Sequence, residues 1–167
     1  MTLRVTFGID PGLSGAVWAP IDGEPGPFLD MPTRMVSDWA EVDAAALAAW
    51  LQRVRAAHPG AHFSACLEKV GARPTDGGTT AFRFGEGAGR VAGVLEALGI
   101  RYSRAIPAVW KRHFGLLKKE KDESRQLAIV RFPRAAPDLK RKKDNGRADG
   151  LLLALWHENT TAWARAA

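Results

Sequence analysis

Cysteine is almost missing from this chain. The single Cys66 excludes an intrachain disulfide and offers no thiolate metal site, and its place in the apolar run HFSACLE marks it as a core residue. No apolar run approaches the roughly 18 residues that a membrane span needs, so no membrane partner is expected. The N-terminus lacks the basic, apolar and small-residue sections of a secretory signal, and the expectation is a cytoplasmic protein. The four histidines, His58, His62, His113 and His157, are scattered and offer no zinc cluster. There is no internal repeat, low-complexity stretch or break in composition. A single domain over residues 1–167 is therefore expected.

Charge is plentiful but unevenly spread. Between Arg101 and Arg147 stand 15 Lys/Arg against 5 Asp/Glu, while the remainder carries 9 against 13. Positive charge gathered in one stretch suits a polyanionic partner, although a basic face that only keeps the protein in solution has the same composition.

The periodicities alternate between strand and helix. Residues 3–10, 15–21 and 27–31 read as strands, the first two forming a hairpin; 62–68 and 100–106 read as two more. Asp43–Ala57 reads as a helix on the spacing of Ala46, Trp50 and Val54, stopped by HPG. Further helices are expected at 81–98, 107–115, 120–132 and 147–158, with loops at 71–79 and 134–145. The pattern predicts an α/β fold in which a mixed five-stranded sheet is flanked by helices.

Two carboxylates stand at strand ends. Asp10 closes the first strand before Pro-Gly, where an aspartate also serves simply to start a turn. Glu68 closes the apolar strand HFSACLE. If these strands are parallel neighbours, their backbones lie about 5 Å apart. A third carboxylate, Asp149, shares one helix face with Leu152, Leu153 and Trp156 at i, i+3, i+4 and i+7. That face must pack on the sheet, so Asp149 points inward, where a lone carboxylate is costly unless paired or metal-bound. A place in the first helical turn, favoured by the helix dipole, is the simpler alternative. Asp144 lies just before this helix, within reach of the same place. Converging carboxylates repel one another unless a cation sits among them, and oxygen donors suit Mg²⁺ or Mn²⁺.

FGIDPGLSGA at 7–16, LEKV at 67–70 and GRADGLLLAL at 146–155 resemble the signature segments of RuvC-type Holliday-junction resolvases. FRFGEGAGRVAGVLEALGI, IPAVWKRHFGL and KEKDESRQLAIVRFP follow in the order of that family, in the flavour of its phage and plastid branch. The resemblance implies a ribonuclease H-like fold and a homodimer. It implies two Mg²⁺ or Mn²⁺ ions per active site, with no other small-molecule cofactor. The activity it implies is resolution of four-way DNA junctions by paired symmetric nicks, in DNA recombination and repair. A phage-encoded protein acting in the host cytoplasm fits that branch.

The resemblance assigns the metal ligands to Asp10, Glu68 and Asp149. The bacterial pattern has an acid or histidine three positions before the last aspartate, where this chain has Gly146; Asp144, five positions before, is the substitute. Lys121 resembles a basic residue beside the scissile phosphate, with Lys118 and Lys119 as competing neighbours, and Lys111 resembles a second DNA-contacting lysine. An aromatic near the loop after Glu68 stacks on an unpaired base in this family. Phe82 and Phe84 are the candidates, with core packing as the alternative for each. Arg73 and Arg83 are placed to grip phosphates. The basic run Lys140, Arg141, Lys142 and Lys143, with Arg147 beyond it, is read as DNA contact in preference to a localisation-like signal. Gly85, Gly89 and Gly93 form a ridge of small residues along one helix face. Its readings are a dimer contact or packing on the domain's own sheet.

Other functions remain open. A ribonuclease H-like nuclease acting on other branched DNA or on RNA would use the same acids. A non-catalytic junction-binding protein is opposed by the convergent negative charge. The turn after Asp10 resembles the first phosphate loop of actin-like ATPases, but 167 residues are too few for their two lobes.

Overall fold

A computed structural model describes residues 2–71, 75 and 77–162. The sheet has five strands, in the order β3 (Phe28–Asp30), β2 (Ala16–Trp18), β1 (Arg4–Ile9), β6 (His62–Glu68) and β7 (Arg101–Ala105). β1 pairs antiparallel with β2, and β2 with β3. On its other side β1 runs parallel to β6, and β6 runs parallel to β7. The mixed five-stranded sheet expected from the sequence is present, with all five strands in the expected places.

Alternation along the strands sorts side chains between two cores. Val5, Phe7, Ile9, Ala65 and Leu67 face one core. It is covered by α1 (Ala44–Ala57) and α2 (Gly78–Ala97). Trp18, Cys66 and Ala105 face the other, under α3 (Pro107–His113), α4 (Lys121–Arg131) and α5 (Asn145–Thr160). The Asp43 carboxylate caps α1 by accepting from the Ala46 amide at 3.0 Å. The buried stripe of α1 is Leu47, Trp50, Leu51 and Val54, and Ala46 faces solvent, so the expected helix is right but its inner face is turned by one residue.

Glycine is what lets α5 close on the sheet. A Cβ at Gly8 would run into the Gly150 carbonyl, and its methyl would lie 2.9 Å from the Ala154 Cβ. The backbones of β1 and α5 therefore meet directly, which draws the start of α5 over the C-terminal ends of β1 and β6.

Two segments differ from expectation. A two-stranded hairpin, β4 (Thr33–Val36) and β5 (Trp39–Val42), precedes α1 where no strand is predicted. The stretch 134–145, expected as a loop, winds into 3-10 turns at Pro133–Leu139 and Lys142–Asp144.

Candidate active site at the strand ends

Asp10 and Glu68 lie one step beyond the parallel pair Ile9–Leu67. Counting in twos places Asp10 on the face of Gly8 and Glu68 on the face of Cys66, which is the side that α5 covers. Asp149 is one residue before the Gly150 contact, so the close approach of α5 delivers it to the same strand ends. Three elements distant in sequence thus bring three carboxylates within electrostatic reach of one another.

Their protonation equilibria carry the mark of that meeting. Burial pushes the Asp10 carboxyl above its ordinary range, against a hydrogen bond from the Gly12 amide at 3.0 Å and the charges of Lys111 and Lys121. Burial raises Glu68 to about 7, and the Asp10 charge adds to the rise. The indole of Trp110 opposes it, donating to Glu68 Oε1 at 3.0 Å. Burial lifts Asp149 to about 6, with Lys111 pulling it down and Asp10 pushing it up. Lys111 Nζ stands 3.9 Å from Asp149 Oδ2. Asp149 Oδ1 is buried without a hydrogen-bond partner, a costly state for a carboxylate oxygen.

These observations favour a hard cation. All three side chains offer oxygen, their ionised forms are disfavoured by burial and mutual repulsion, and one buried oxygen lacks a donor. Among the described residues, however, no group of three His, Cys, Asp or Glu is already closed into a metal-holding cluster. The donor chemistry fits a divalent ion, while the carboxylates stand apart from one another.

The fourth expected ligand is a correction. Asp144 is buried, but its carboxylate is turned to Arg141. Its Oδ1 accepts from Arg141 Nε and Nη2 at 2.9 and 2.7 Å, and its Oδ2 accepts from the Arg141 amide at 2.8 Å. Burial raises its pKa and these bonds outweigh the rise, leaving it lowered. Asp144 closes the 3-10 turn at Lys142–Asp144 as a partner of Arg141, makes no side-chain capping bond to α5, and does not join the other three acids. Nor is there room for an acid at Gly146, where a Cβ would run into the Ser14 carbonyl and lie 2.8 Å from the Gly15 Cα.

The basic residues divide as well. Lys111 and Lys121 both act on Asp10 and Asp149, which places them at the site. Lys118, Lys119, Lys140, Lys142 and Lys143 are exposed. Arg147 departs from its expected DNA contact. It grips Asp30 through two bonds of 2.6 Å, donates to the Asp138 carbonyl at 2.9 Å and lies over the Phe28 ring, so it pins α5 to β3. Arg141 is likewise engaged, with Asp144. Arg73 lies outside the described residues. Core packing is excluded for Phe82, which is 72% exposed, and Phe84 is exposed too. Arg83 stacks on Trp39. A Cβ at Gly85, Gly89 or Gly93 would meet nothing within 4 Å, so the ridge does not pack on the domain's own sheet.

Trp110 is the site residue that sequence reasoning passed over. Its signal was available: a tryptophan one residue before Lys111 on a one-sided short helix, facing a strand-end glutamate.

No protein-family model matches the chain. Over 114 residues it is 37% identical to "Holliday junction resolvase MOC1, chloroplastic" of Chlamydomonas reinhardtii. That match covers 68% of this chain but 13% of the relative, so the chain spans about an eighth of that protein's length. Among solved structures, "T. thermophilus RuvC in complex with Holliday junction substrate" superposes with a TM-score of 0.61 at 17% identity, covering 98% of this chain and 96% of that one. The fold is that of RuvC. A second superposition, on "Thermus thermophilus RuvC structure", gives a TM-score of 0.55 at 17% identity over the same shares of both chains. The RuvC-type, ribonuclease H-like architecture expected from the signature segments is therefore the architecture present.

Proposed function

We propose that this chain is a RuvC-type, metal-dependent endonuclease that resolves four-way DNA junctions by paired symmetric nicks. The observation that carries the reading is that Asp10, Glu68 and Asp149 lie within electrostatic reach of one another by the ends of β1 and β6, with Lys111 against Asp149. Similarity to a chloroplast protein named as a Holliday junction resolvase supports the choice of substrate.

Asp10, Glu68 and Asp149 would hold two Mg²⁺ or Mn²⁺ ions. Such ions supply Lewis acidity, activating water and stabilising the leaving 3′ oxygen of a phosphodiester. The protein's own groups do the rest. Trp110 holds the Glu68 carboxylate in one orientation through its N–H. Lys111 and Lys121 offset negative charge where the acids and the DNA backbone meet. The exposed lysines at 118, 119, 140, 142 and 143 hold phosphates further out. Phe82 is free to stack on an unpaired base at the branch. A second copy of the chain, docked along Gly85, Gly89 and Gly93, would provide the twofold symmetry that paired nicks need.

The test incubates the purified protein with a labelled four-way junction and with linear duplex, in Mg²⁺ and in chelator. Symmetric nicks in the junction alone, and only with metal, are expected. Equal cutting of the duplex would remove the junction selectivity, and no cutting in metal would leave a binding module.

A further inference from the structure

Beside the carboxylates lies a cleft that the chemistry above leaves unused. The β4–β5 hairpin and the first half of α2 enclose about 330 Å³, and the turn after Asp10 adds a third side through Pro11 and Leu13. Pro11, Leu13, Trp39, Val42 and Phe84 give it an apolar lining. The Trp39 indole is capped by the Arg83 guanidinium, 4.6 Å from the ring centroid. Phe84 and Leu13, both exposed, supply more apolar surface.

Its polar lining is a fixed ion-pair network. Glu41 accepts from Arg90 at 2.6 and 3.0 Å and from Arg34 at 2.7 Å, and Arg90 also donates to Glu86 at 3.0 Å. A guanidinium has five N–H donors, so Arg90 keeps donors to spare. A carboxylate beside a guanidinium presents an acceptor next to a donor, held in place before any ligand arrives.

Apolar faces with a donor and an acceptor at the edge describe the complement of a flat heteroaromatic ring. The cleft's position narrows the choice. The Phe84 ring comes within 4.0 Å of where a side chain at Gly12 would begin, and the Gly12 amide bonds Asp10. A ring in the cleft is thus one loop away from the carboxylates.

We propose that the cleft receives one nucleobase of the strand being cut, beside the scissile phosphate, with the Arg83 guanidinium backed by Trp39, and the Phe84 ring, as stacking surfaces and the Glu41–Arg90 pair reading the base edge. The inference rests on the nuclease reading above. It makes the β4–β5 hairpin the part of the molecule that sets base preference at the cut. Trp39, acting through Arg83, and Glu41 are specificity residues in this scheme; they hold a base and touch no reacting atom.

Two assays test it. In the first, 2-aminopurine replaces each base flanking the branch of a four-way junction in turn, and the protein is added in chelator. Wild type is expected to change the fluorescence at one position, and Trp39→Leu to abolish that change while the protein still binds the junction. A signal identical in wild type and variant overturns the proposal. In the second, junctions carrying every dinucleotide at the branch are cut in Mg²⁺. Wild type is expected to spread its rates by about tenfold or more, as a bidentate base contact would, and Trp39→Leu and Glu41→Gln to compress that spread to about threefold or less. Uniform wild-type cutting overturns the base-reading cleft and leaves the nuclease intact. Failure to cut any junction overturns the nuclease reading, and the fluorescence arm then still decides whether the cleft takes a base. If Trp39→Leu does not fold, Glu41→Gln takes its place in both assays, with the same outcomes expected and the same outcomes overturning the proposal.

Discussion

The indole nitrogen of Trp110 donates to the Glu68 carboxylate across 3.0 Å, joining the first turns of α3 to the end of β6. The bond restrains a buried acid that Asp10 and Asp149 both repel. Trp110→Phe keeps an aromatic ring in the buried site but removes the indole N–H donor along with part of the side-chain volume. It is expected to lower the rate of cutting by roughly tenfold, the order of one hydrogen bond to a charged group. Junction binding in chelator should stay within about twofold. Single-turnover kinetics beside a binding titration check this, and an unchanged rate would show that Glu68 needs no such restraint.

In metal-free protein, Glu68 should also shape stability against pH. Its folded value, about 7, lies above its ordinary 4.5, so folding favours the protonated form. The stability it contributes is complete below the lower value and is lost as pH rises through the higher one. Glu68→Gln cannot suffer that loss. The variant's melting temperature relative to wild type should therefore climb between pH 4.5 and pH 8. The underlying gain is on the order of 2–3 kcal/mol, at about 1.4 kcal/mol per pKa unit. His157, whose burial depresses it to about 4, loads the opposite slope onto both proteins and drops out of the difference. Thermal melts in chelator across that range provide the comparison.

Arg147 is expected to behave as a structural pin. Arg147→Ala leaves Asp30 and the Asp138 carbonyl without their partner and uncovers Phe28. The cost should be about 2 kcal/mol, kept modest because Asp30 is more than half exposed. The slope of junction affinity against salt should stay that of wild type, whereas loss of a true phosphate contact would reduce it by about one.

The glycine ridge separates one copy from two. In a lone chain, Gly89→Ala should stabilise α2 by up to about 1 kcal/mol, because the added methyl meets open space. In a dimer closed along that ridge, Gly89→Leu should drive the protein to monomer at concentrations where wild type is dimeric. Light scattering on both variants reads the outcome, and a dimer indifferent to leucine would move the interface elsewhere.

Much of this was legible in the sequence, for identifiable reasons. β6 was readable to the residue because HFSACLE is apolar on both faces and stops at an acid. Asp149 was readable because its helix has large apolar residues at the same spacing. The β4–β5 hairpin was not, because its first strand is mostly exposed and shows no apolar alternation. Its two-residue turn also has Ser37 at φ 55° where a glycine or asparagine would have announced it. Asp144 misled for a different reason. Its partner Arg141 stands three residues earlier in a basic run that reads as DNA-facing, and a local cap of that kind leaves no periodic trace.

The central claim is that Asp10, Glu68 and Asp149 together hold divalent ions. Calorimetric titration of Mn²⁺ into wild type, Asp149→Asn and Asp10→Asn, with no DNA present, tests it most directly. Saturable binding by wild type that falls at least about tenfold in either variant is the expected result. Equal Mn²⁺ binding by all three proteins, each shown to be folded, would contradict the account.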